Sequence, residues 1–230
     1  RPRVVQLAAA GERRVAPPLV FRPLNPLLFE VTDDHVGVAD TPGVHDTPEF
    51  VKARVEMSLI ADSEGEARFV GAGRHVRCAE SKLGRFGMLV CEDAWHPSAV
   101  SITLLQGADL VVVQVASPVR DLRRGELPRN AETWLDTLRT YARLYGTHIV
   151  FCNRVGSEDG LVFWGHSCVL GPDGDMLARA SLFDEELLVV DVDPERVREA
   201  RLSNPVLRDE KLDVTIRELQ RILDDPEGTA

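Results

Sequence analysis

Lysine is scarce in this chain, apolar runs are short, and acidic residues outnumber basic ones. The only lysines are Lys52, Lys82 and Lys211, and 27 lysines and arginines stand against 37 aspartates and glutamates. The formal charge of −10 disfavours nucleic acid or an anionic membrane as a partner. No apolar run approaches the roughly 20 residues that span a bilayer, and the first residues lack the apolar core of a signal peptide. These deficits favour a soluble protein.

Cysteine is also sparse, with four residues at positions 78, 91, 152 and 168. They show no C-x-x-C spacing and are too few for a disulfide scaffold, so a reducing cytoplasm is the expected compartment. His148 and His166 lack metal-ligand spacing and are expected at core or strand positions. The sequence calls for neither a metal nor an organic cofactor.

Strands and helices alternate from residue 86 onward, which predicts an α/β fold. At 230 residues the chain is long enough for one domain with a substantial core. Strands are predicted at 86–90, 110–115, 148–152, 162–170, 176–180 and 187–192, and helices at 98–106 and 130–145, with Gly146 as the C-cap of the second. The turn at 172–174 joins two of these strands as a hairpin.

The two ends of the chain differ from this regular middle. Prolines at positions 17, 18, 23, 26, 42 and 48 interrupt regular elements, so residues 1–60 form a divergent or incomplete part of the domain at 1–195. Residues 196–230 form a helical tail whose second stretch, 213–223, repeats apolar residues at helical spacing. This tail either packs on its own domain or contacts another subunit.

Cys91 lies where the strand at 86–90 gives way to a helix-like run. A side chain at such an elbow is pushed out of the core, towards the first free N–H groups of the helix. Those donors favour the thiolate and stabilise a developing oxyanion, so Cys91 is a candidate nucleophile. The alternative is a buried cysteine that acts as a small hydrophobe.

Several short motifs around Cys91 occur in a fixed order. They are GRFGMLVCEDAWHP at 84–97, GADLVVV at 107–113, NRVG at 153–156, GHS at 165–167 and GPDG at 171–174. In this order the chain resembles the nitrilase, or carbon–nitrogen hydrolase, superfamily over residues 64–210. The resemblance implies a four-layer α-β-β-α sandwich with an abbreviated N-terminal part, and a Glu–Lys–Cys triad that hydrolyses or condenses amide and nitrile C–N bonds. It places the nucleophile at Cys91.

The resemblance also implies positions for the remaining catalytic groups. The family's catalytic lysine is expected near residues 57–59, but no lysine occurs there. Lys52 is therefore the candidate for this role, and Lys82 is expected to be solvated. Glu30 is the nearest substitute for the family's general base. Glu66 matches the family's second glutamate, with Glu64 as an alternative register.

Other polar residues near Cys91 have predicted roles at the substrate. The Glu92 N–H is expected to form part of an oxyanion site, Trp95 to line the pocket or fill core, and Asn153 to contact substrate. Asp93 is expected to brace the elbow through backbone hydrogen bonds. A Cys91–His96 dyad is disfavoured, because the family does not rely on one.

Three interpretations follow from these residues. The first is a thiol amidohydrolase acting on a small linear amide or carbamoyl compound, with an amide preferred to a nitrile, and forming a homo-oligomer. The second is a catalytically degraded member that serves as a binding or assembly module, because the Glu and Lys motifs diverge. The third is a chain that omits a segment carrying the missing motifs.

Overall fold

The computed structural model describes residues 73, 75–81, 84–121, 127–158 and 160–225, and the backbone alone at 30–32, 36–37 and 50–51. The three short N-terminal pieces are β1 (Glu30–Thr32), β2 (Val36–Gly37) and β3 (Phe50–Val51). They pair antiparallel in the order β2-β1-β3. The first strand that the sequence places at residues 4–7 lies outside the described residues.

The main sheet has six strands in the order β11-β10-β7-β6-β5-β4. These are β4 (Cys78–Ser81), β5 (Gly84–Val90), β6 (Leu110–Val115), β7 (His148–Asn153), β10 (Cys168–Leu170) and β11 (Met176–Arg179). The three central strands β5, β6 and β7 are parallel, and β4, β10 and β11 extend the sheet antiparallel. A mixed sheet with a parallel centre is the α/β arrangement that the alternating pattern predicts.

Two helices connect the parallel strands on one face of the sheet. Helix α1 (Pro97–Leu105) links β5 to β6, and α2 (Arg129–Tyr145) links β6 to β7. Their apolar residues join the strand residues of that face in one buried cluster, which includes Leu104, Trp134 and Phe151. Alternate strand residues, such as Val112 and Val150, form a second apolar cluster on the opposite face. The sheet is therefore apolar on both faces, which explains why five of the six residues of β6 are apolar.

Glycines set the ends and spacing of these elements. Gly146 ends α2 in the left-handed conformation, with φ 55° and ψ 60°, as the sequence predicts. Gly87 in β5 lets α1 approach closely, because a Cβ there would lie only 2.0 Å from Cγ2 of Thr103. These two positions depend on the absence of a side chain.

The strand predicted at 162–170 is two strands. The chain forms a hairpin of β8 (Val155–Glu158) and β9 (Leu161–Trp164) before it enters β10. Gly165 and His166 both have left-handed backbone, with φ of 65° and 57°, and this interrupts the extended run. The hairpin was not predicted, because its own residues carry a weak alternating pattern.

The prediction of a strand at 187–192 is also wrong. Leu187 and Val192 form single-residue bridges only, although Val189 and Val192 are buried in the second apolar cluster. Three helices follow, α3 (Pro194–Ser203), α4 (Val206–Asp209) and α5 (Leu212–Asp224). Arg201 anchors α3 to the loop before β6 and to the end of α2 by donating to the backbone oxygens of Ala108 and Tyr145.

Candidate active site

Cys91 lies at the carboxyl end of β5, between a central strand and a helix. It is the first residue of a 3₁₀ helix, Cys91–Trp95, which leads directly into α1. Its backbone is left-handed, with φ 42°, and its side chain is half-buried. A non-glycine residue held in this region is strained, and such strain concentrates at functional sites. The predicted strand-to-helix elbow at Cys91 is confirmed.

Asp93 braces this elbow, as predicted. Its carboxylate Oδ2 accepts a hydrogen bond from the Val90 N–H at 3.0 Å, and the side chain is buried. Its backbone oxygen accepts from the His96 N–H at 3.2 Å, and the His96 oxygen accepts from Ala99 at 3.0 Å. These bonds link the end of β5, the 3₁₀ helix and the start of α1, so the conformation of Cys91 is fixed from both sides.

Glu92 and His96 form a partly exposed pair beside the nucleophile. His96 Nε2 lies 3.6 Å from Glu92 Oε1, and both side chains reach solvent. Since His96 faces Glu92, the geometry gives no support to a Cys91–His96 dyad. The role of the Glu92 N–H towards an oxyanion stays a prediction.

Trp95 joins the elbow to the aromatic core. Its ring centroid lies 4.2 Å from that of Trp134, which lies 5.5 Å from Phe151, and Phe151 lies 5.7 Å from Trp164. Trp95 is only half-buried, whereas Trp134 and Trp164 are enclosed. Trp95 therefore packs in part on the core, and its contact with substrate stays a prediction.

Asn153 lies at the carboxyl end of β7, at the same edge of the sheet as Cys91. The β5–β6 and β6–β7 registers place it two strands away, roughly 10 Å across the sheet. Its side chain is 2% exposed; Oδ1 accepts from Ser117 N at 2.9 Å and Nδ2 donates to Gly165 O at 3.0 Å. Asn153 therefore holds two loops of this edge together, and direct contact with substrate stays a prediction.

Two residues that the sequence did not single out complete this network. Asn130 at the start of α2 donates from Nδ2 to Ser117 Oγ at 2.9 Å and to Pro118 O at 2.7 Å. Ser167 Oγ accepts from the Asn153 N–H at 3.0 Å. The GHS motif was the only sequence signal near Ser167, and nothing in the chain pattern pointed to Asn130.

His166 is the second strained polar residue at this edge. It is 5% exposed and left-handed, and neither ring nitrogen makes a hydrogen bond of good geometry with the described residues. Its ring centroid lies 6.4 Å from that of Trp164, whose Nε1 is likewise unbonded there. Burial lowers the pKa of His166, and the positive charge of Arg179 lowers it further.

The other cysteines are chemically distinct from the candidate nucleophile. Burial raises the pKa of Cys152 and of Cys168 to about 12, so both stay as thiols near neutral pH. Cys78 donates from Sγ to the Thr103 oxygen at 3.3 Å, and burial raises its pKa. None of these three stands at a strand-to-helix elbow.

The remaining predicted catalytic groups fall largely outside the described residues. Lys52 and Glu66 both lie outside them, and Glu30 is described only as backbone in β1. Cys91 is therefore the one predicted triad member whose side chain is described. Within the described ranges no group of three or more His, Cys, Asp and Glu side chains is placed to hold a metal ion, and no helix has the length and apolarity to cross a bilayer.

Comparison with known proteins assigns the family. A carbon-nitrogen hydrolase family model matches residues 41–202, and the chain belongs to that family. It is 32% identical over 142 residues to the glutamine-dependent NAD(+) synthetase of Aquifex aeolicus, covering 60% of this chain and 23% of that protein. It is 27% identical over 143 residues to the N-carbamoylputrescine amidase of Arabidopsis thaliana, covering 59% of this chain and 47% of the amidase.

A solved structure extends the comparison to the fold. The carbon-nitrogen hydrolase of Helicobacter pylori superposes with a TM-score of 0.63 at 30% identity, over 71% of this chain and 59% of that one. The predicted nitrilase-type α/β fold is thereby confirmed. The chain spans about a quarter of the NAD synthetase and about half of the amidase.

Proposed function

We propose that the chain is a thiol-dependent amidohydrolase that cleaves a C–N bond of a small linear amide or carbamoyl compound through a thioester on Cys91. The observation that carries the proposal is the conformation of Cys91. A half-buried thiol held at φ 42° by the Asp93 brace, at the end of a central parallel strand, is a preorganised nucleophile in a carbon-nitrogen hydrolase.

The chemistry divides one slow step into two faster ones. The sulfur of Cys91 attacks the carbonyl carbon, and the tetrahedral intermediate collapses with loss of ammonia to leave a thioester. Water then attacks the thioester, releases the acid and restores the thiol. The Glu92 N–H is the proposed donor to the oxyanion in both steps, and one such donor is worth about 3 kcal/mol.

The proton transfers and the cationic donor are assigned from the family resemblance. Glu30 is proposed to take the thiol proton, return it to the departing ammonia and activate water. Lys52 is proposed to support the oxyanion, and Glu66 to orient the lysine and the substrate. Glu66 matches a family segment, whereas Glu30 and Lys52 are the nearest residues where the family's motifs diverge.

A terminal –CO–NH₂ group is the proposed point of cleavage. Glutamine, named in one relative, and N-carbamoylputrescine, named in another, both end in such a group on a linear chain. Trp95, a partly buried residue of the same 3₁₀ helix as Cys91, is proposed to offer an apolar surface for the chain that carries this group. From a primary amide the proposed products are ammonia and the corresponding carboxylic acid. From an N-carbamoyl amine, loss of ammonia leaves a thiocarbamate on the sulfur, and water releases a carbamic acid that decomposes to the amine and CO₂.

The test is ammonia release from a panel of linear primary amides and N-carbamoyl amines. The Cys91→Ala variant should release none from a substrate that the wild-type protein cleaves. Cys78→Ala is the matched control, because this thiol lies in the edge strand β4 of the same sheet and donates to the Thr103 oxygen, and the variant should retain activity. Full activity in Cys91→Ala would disprove the proposal.

A binding or assembly role is the second candidate, and the divergent Glu and Lys motifs favour it. A protein without hydrolase activity would not release ammonia from any compound of the panel. It would still bind a linear amide, with a heat of binding that Trp95→Ala removes. Binding of this kind by a wild-type protein that releases no ammonia would contradict catalysis and support the binding role.

A further inference from the structure

Three hydrogen bonds join the side chain of Asn130 to residues 116–121, which follow β6 and which we call the β6 loop. Asn130 Nδ2 donates to Ser117 Oγ at 2.9 Å and to Pro118 O at 2.7 Å, and Oδ1 accepts from the Arg120 N–H at 3.2 Å. Both amide hydrogens and the amide oxygen are engaged, so these bonds fix the orientation of the amide. Asn130 is therefore a clamp between the start of α2 and a separate segment of the chain.

The clamp serves the loop and not the start of the helix. Helix α2 begins at Arg129, and its N-cap residue, Pro128, makes no side-chain cap. An asparagine at a helix start ordinarily bonds the free N–H groups of the first turn. Among the described residues, however, the three side-chain bonds of Asn130 all go to the β6 loop. Replacing Asn130 should therefore affect the loop before it affects the helix.

Val119 is the residue that this clamp immobilises. The peptide group before it is held on both sides, since Pro118 O accepts from Asn130 and the Val119 N–H donates to Val162 O at 2.7 Å. The peptide group after it is held through the Arg120 N–H. A β-branched side chain has few rotamers. The direction of the Val119 side chain is therefore set by Asn130 and β9.

The β6 loop leaves the sheet beside the candidate nucleophile. Strand β6 lies between β5 and β7, and its register pairs Gln114 with Val90, the residue before Cys91. Neighbouring strands are about 4.8 Å apart, so the loop begins about 5 Å from the elbow. Val119, Cys91 and Trp95 are all partly buried and pack against the same apolar cluster. The clamp thus fixes an apolar side chain at the edge of the sheet that carries the thiol.

We propose that Val119 is a specificity-determining residue and that Asn130 is its positioning residue. Held by Asn130, Val119 forms with Trp95 an apolar wall against the carbon chain of the substrate. The inference rests on the proposed amidohydrolase reaction and adds that longer unbranched amides are preferred to short ones. Each methylene group that the wall removes from water favours binding by about fourfold.

Hydrolysis of acetamide and hexanamide measures this preference. In the wild type, kcat/KM should be higher for hexanamide by about tenfold or more. Asn130→Ala and Val119→Ala should lower this ratio by about threefold to tenfold, through a higher KM for hexanamide, and leave kcat for acetamide within about twofold. Thr133→Ala is the matched control, because Thr133 is exposed on the same helix and donates to Arg129 O within it, and the ratio should not change.

The variant Asn130→Asp separates the clamp from the helix. A carboxylate is favourable in the first turn of a helix and still accepts from the Arg120 N–H, but it cannot donate to Ser117 or Pro118. Circular dichroism of each variant should show an intact fold, and the ratio in Asn130→Asp should fall as it does in Asn130→Ala. A wild-type ratio in Asn130→Asp would show that the donated bonds do not position Val119.

Protection of Cys91 from iodoacetamide tests the wall without hydrolysis. The amide concentration that halves the rate of alkylation should be lower for hexanamide than for acetamide by about tenfold, and this difference should shrink in Asn130→Ala and Val119→Ala. The comparison needs binding only, so it applies equally to a protein that releases no ammonia.

The two assays distinguish failure of this inference from failure of the proposed function. Ammonia release without a preference for hexanamide would overturn the wall and leave the amidohydrolase standing. Selective protection by hexanamide without ammonia release would overturn the amidohydrolase and leave the wall standing. An equal loss of activity towards both amides in Asn130→Ala would show a purely structural role and would also contradict the inference.

Discussion

The Asp93 carboxylate accepts a hydrogen bond from the Val90 N–H at 3.0 Å, and Cys91 lies inside the loop that this bond closes. The bond holds the last residue of β5 against the third residue of the 3₁₀ helix. The left-handed backbone of Cys91 is stable only while its neighbours on both sides are fixed. The reactivity of the thiol is therefore expected to depend on Asp93.

Replacing Asp93 tests this dependence. In Asp93→Ala the partly buried Val90 N–H loses its partner, and the free energy of unfolding should fall by about 1–2 kcal/mol. The rate of Cys91 alkylation by iodoacetamide should change, because the elbow relaxes. Asp93→Asn keeps an acceptor oxygen, so its stability and its alkylation rate should lie between those of the wild type and Asp93→Ala. If Asp93→Ala had wild-type stability and wild-type labelling, the brace would have no role at the elbow.

Asn153 should be a stability determinant of the same edge. Its side chain joins Ser117 to Gly165, and both bonds are buried. In Asn153→Ala two backbone groups lose their partners, so the free energy of unfolding should fall by about 2–4 kcal/mol in urea denaturation. Ser157 is exposed, so Ser157→Ala is the control and should change the free energy of unfolding by less than about 0.5 kcal/mol. Equal stability of both variants would contradict the structural role.

Gly87 should be intolerant of a methyl group for a steric reason. The added Cβ would lie 2.0 Å from Cγ2 of Thr103, whose hydroxyl is held by Ala99 O at 2.9 Å. Gly87→Ala should therefore destabilise the protein by about 1–3 kcal/mol in urea denaturation. Thr103→Ser keeps the hydroxyl and removes the clashing methyl, so the double variant should recover part of the loss. Additive losses in the double variant would show that the clash is not the cause.

Two buried histidines should make the protein less stable in mild acid. Burial is the main cause that lowers the pKa of both His148 and His166. The folded state therefore favours the neutral rings, and the unfolded chain binds protons first as the pH falls. The stability due to these rings is fully present above about pH 6.5, the unfolded value, and is lost as the pH falls through the folded-state pKa.

The variant His166→Asn isolates one of these rings. Asparagine tolerates a left-handed backbone and does not titrate, so the local conformation is kept. The urea midpoint should fall less between about pH 7.5 and about pH 5.5 in this variant than in the wild type. An identical fall in both proteins would show that His166 does not contribute.

The elements of the sheet could largely be predicted from local sequence. The β6 run of buried β-branched residues was placed with its observed bounds, and α2 began one residue earlier than expected. The predicted strand at 162–170 failed at Gly165 and His166, because their left-handed backbone has no periodic signature. The strand at 187–192 failed because burial alone does not require ladder hydrogen bonds.

The candidate site was predictable only in part. Cys91 could be placed because the elbow is local in sequence. The hydrogen-bond partners of Asn153 could not be predicted, since Ser117 lies 36 residues away and a long-range hydrogen bond leaves no pattern in the sequence. Lys52 and Glu66 lie outside the described residues, so their roles stay predictions.

Peptide mapping of the protein quenched during turnover of a linear primary amide tests the central claim most directly. Mass spectrometry should find the acyl group of the substrate on the peptide that contains Cys91 and on no other cysteine peptide, and the adduct should disappear as the substrate is consumed. Ammonia release without any acylated Cys91 would contradict thioester catalysis at this residue.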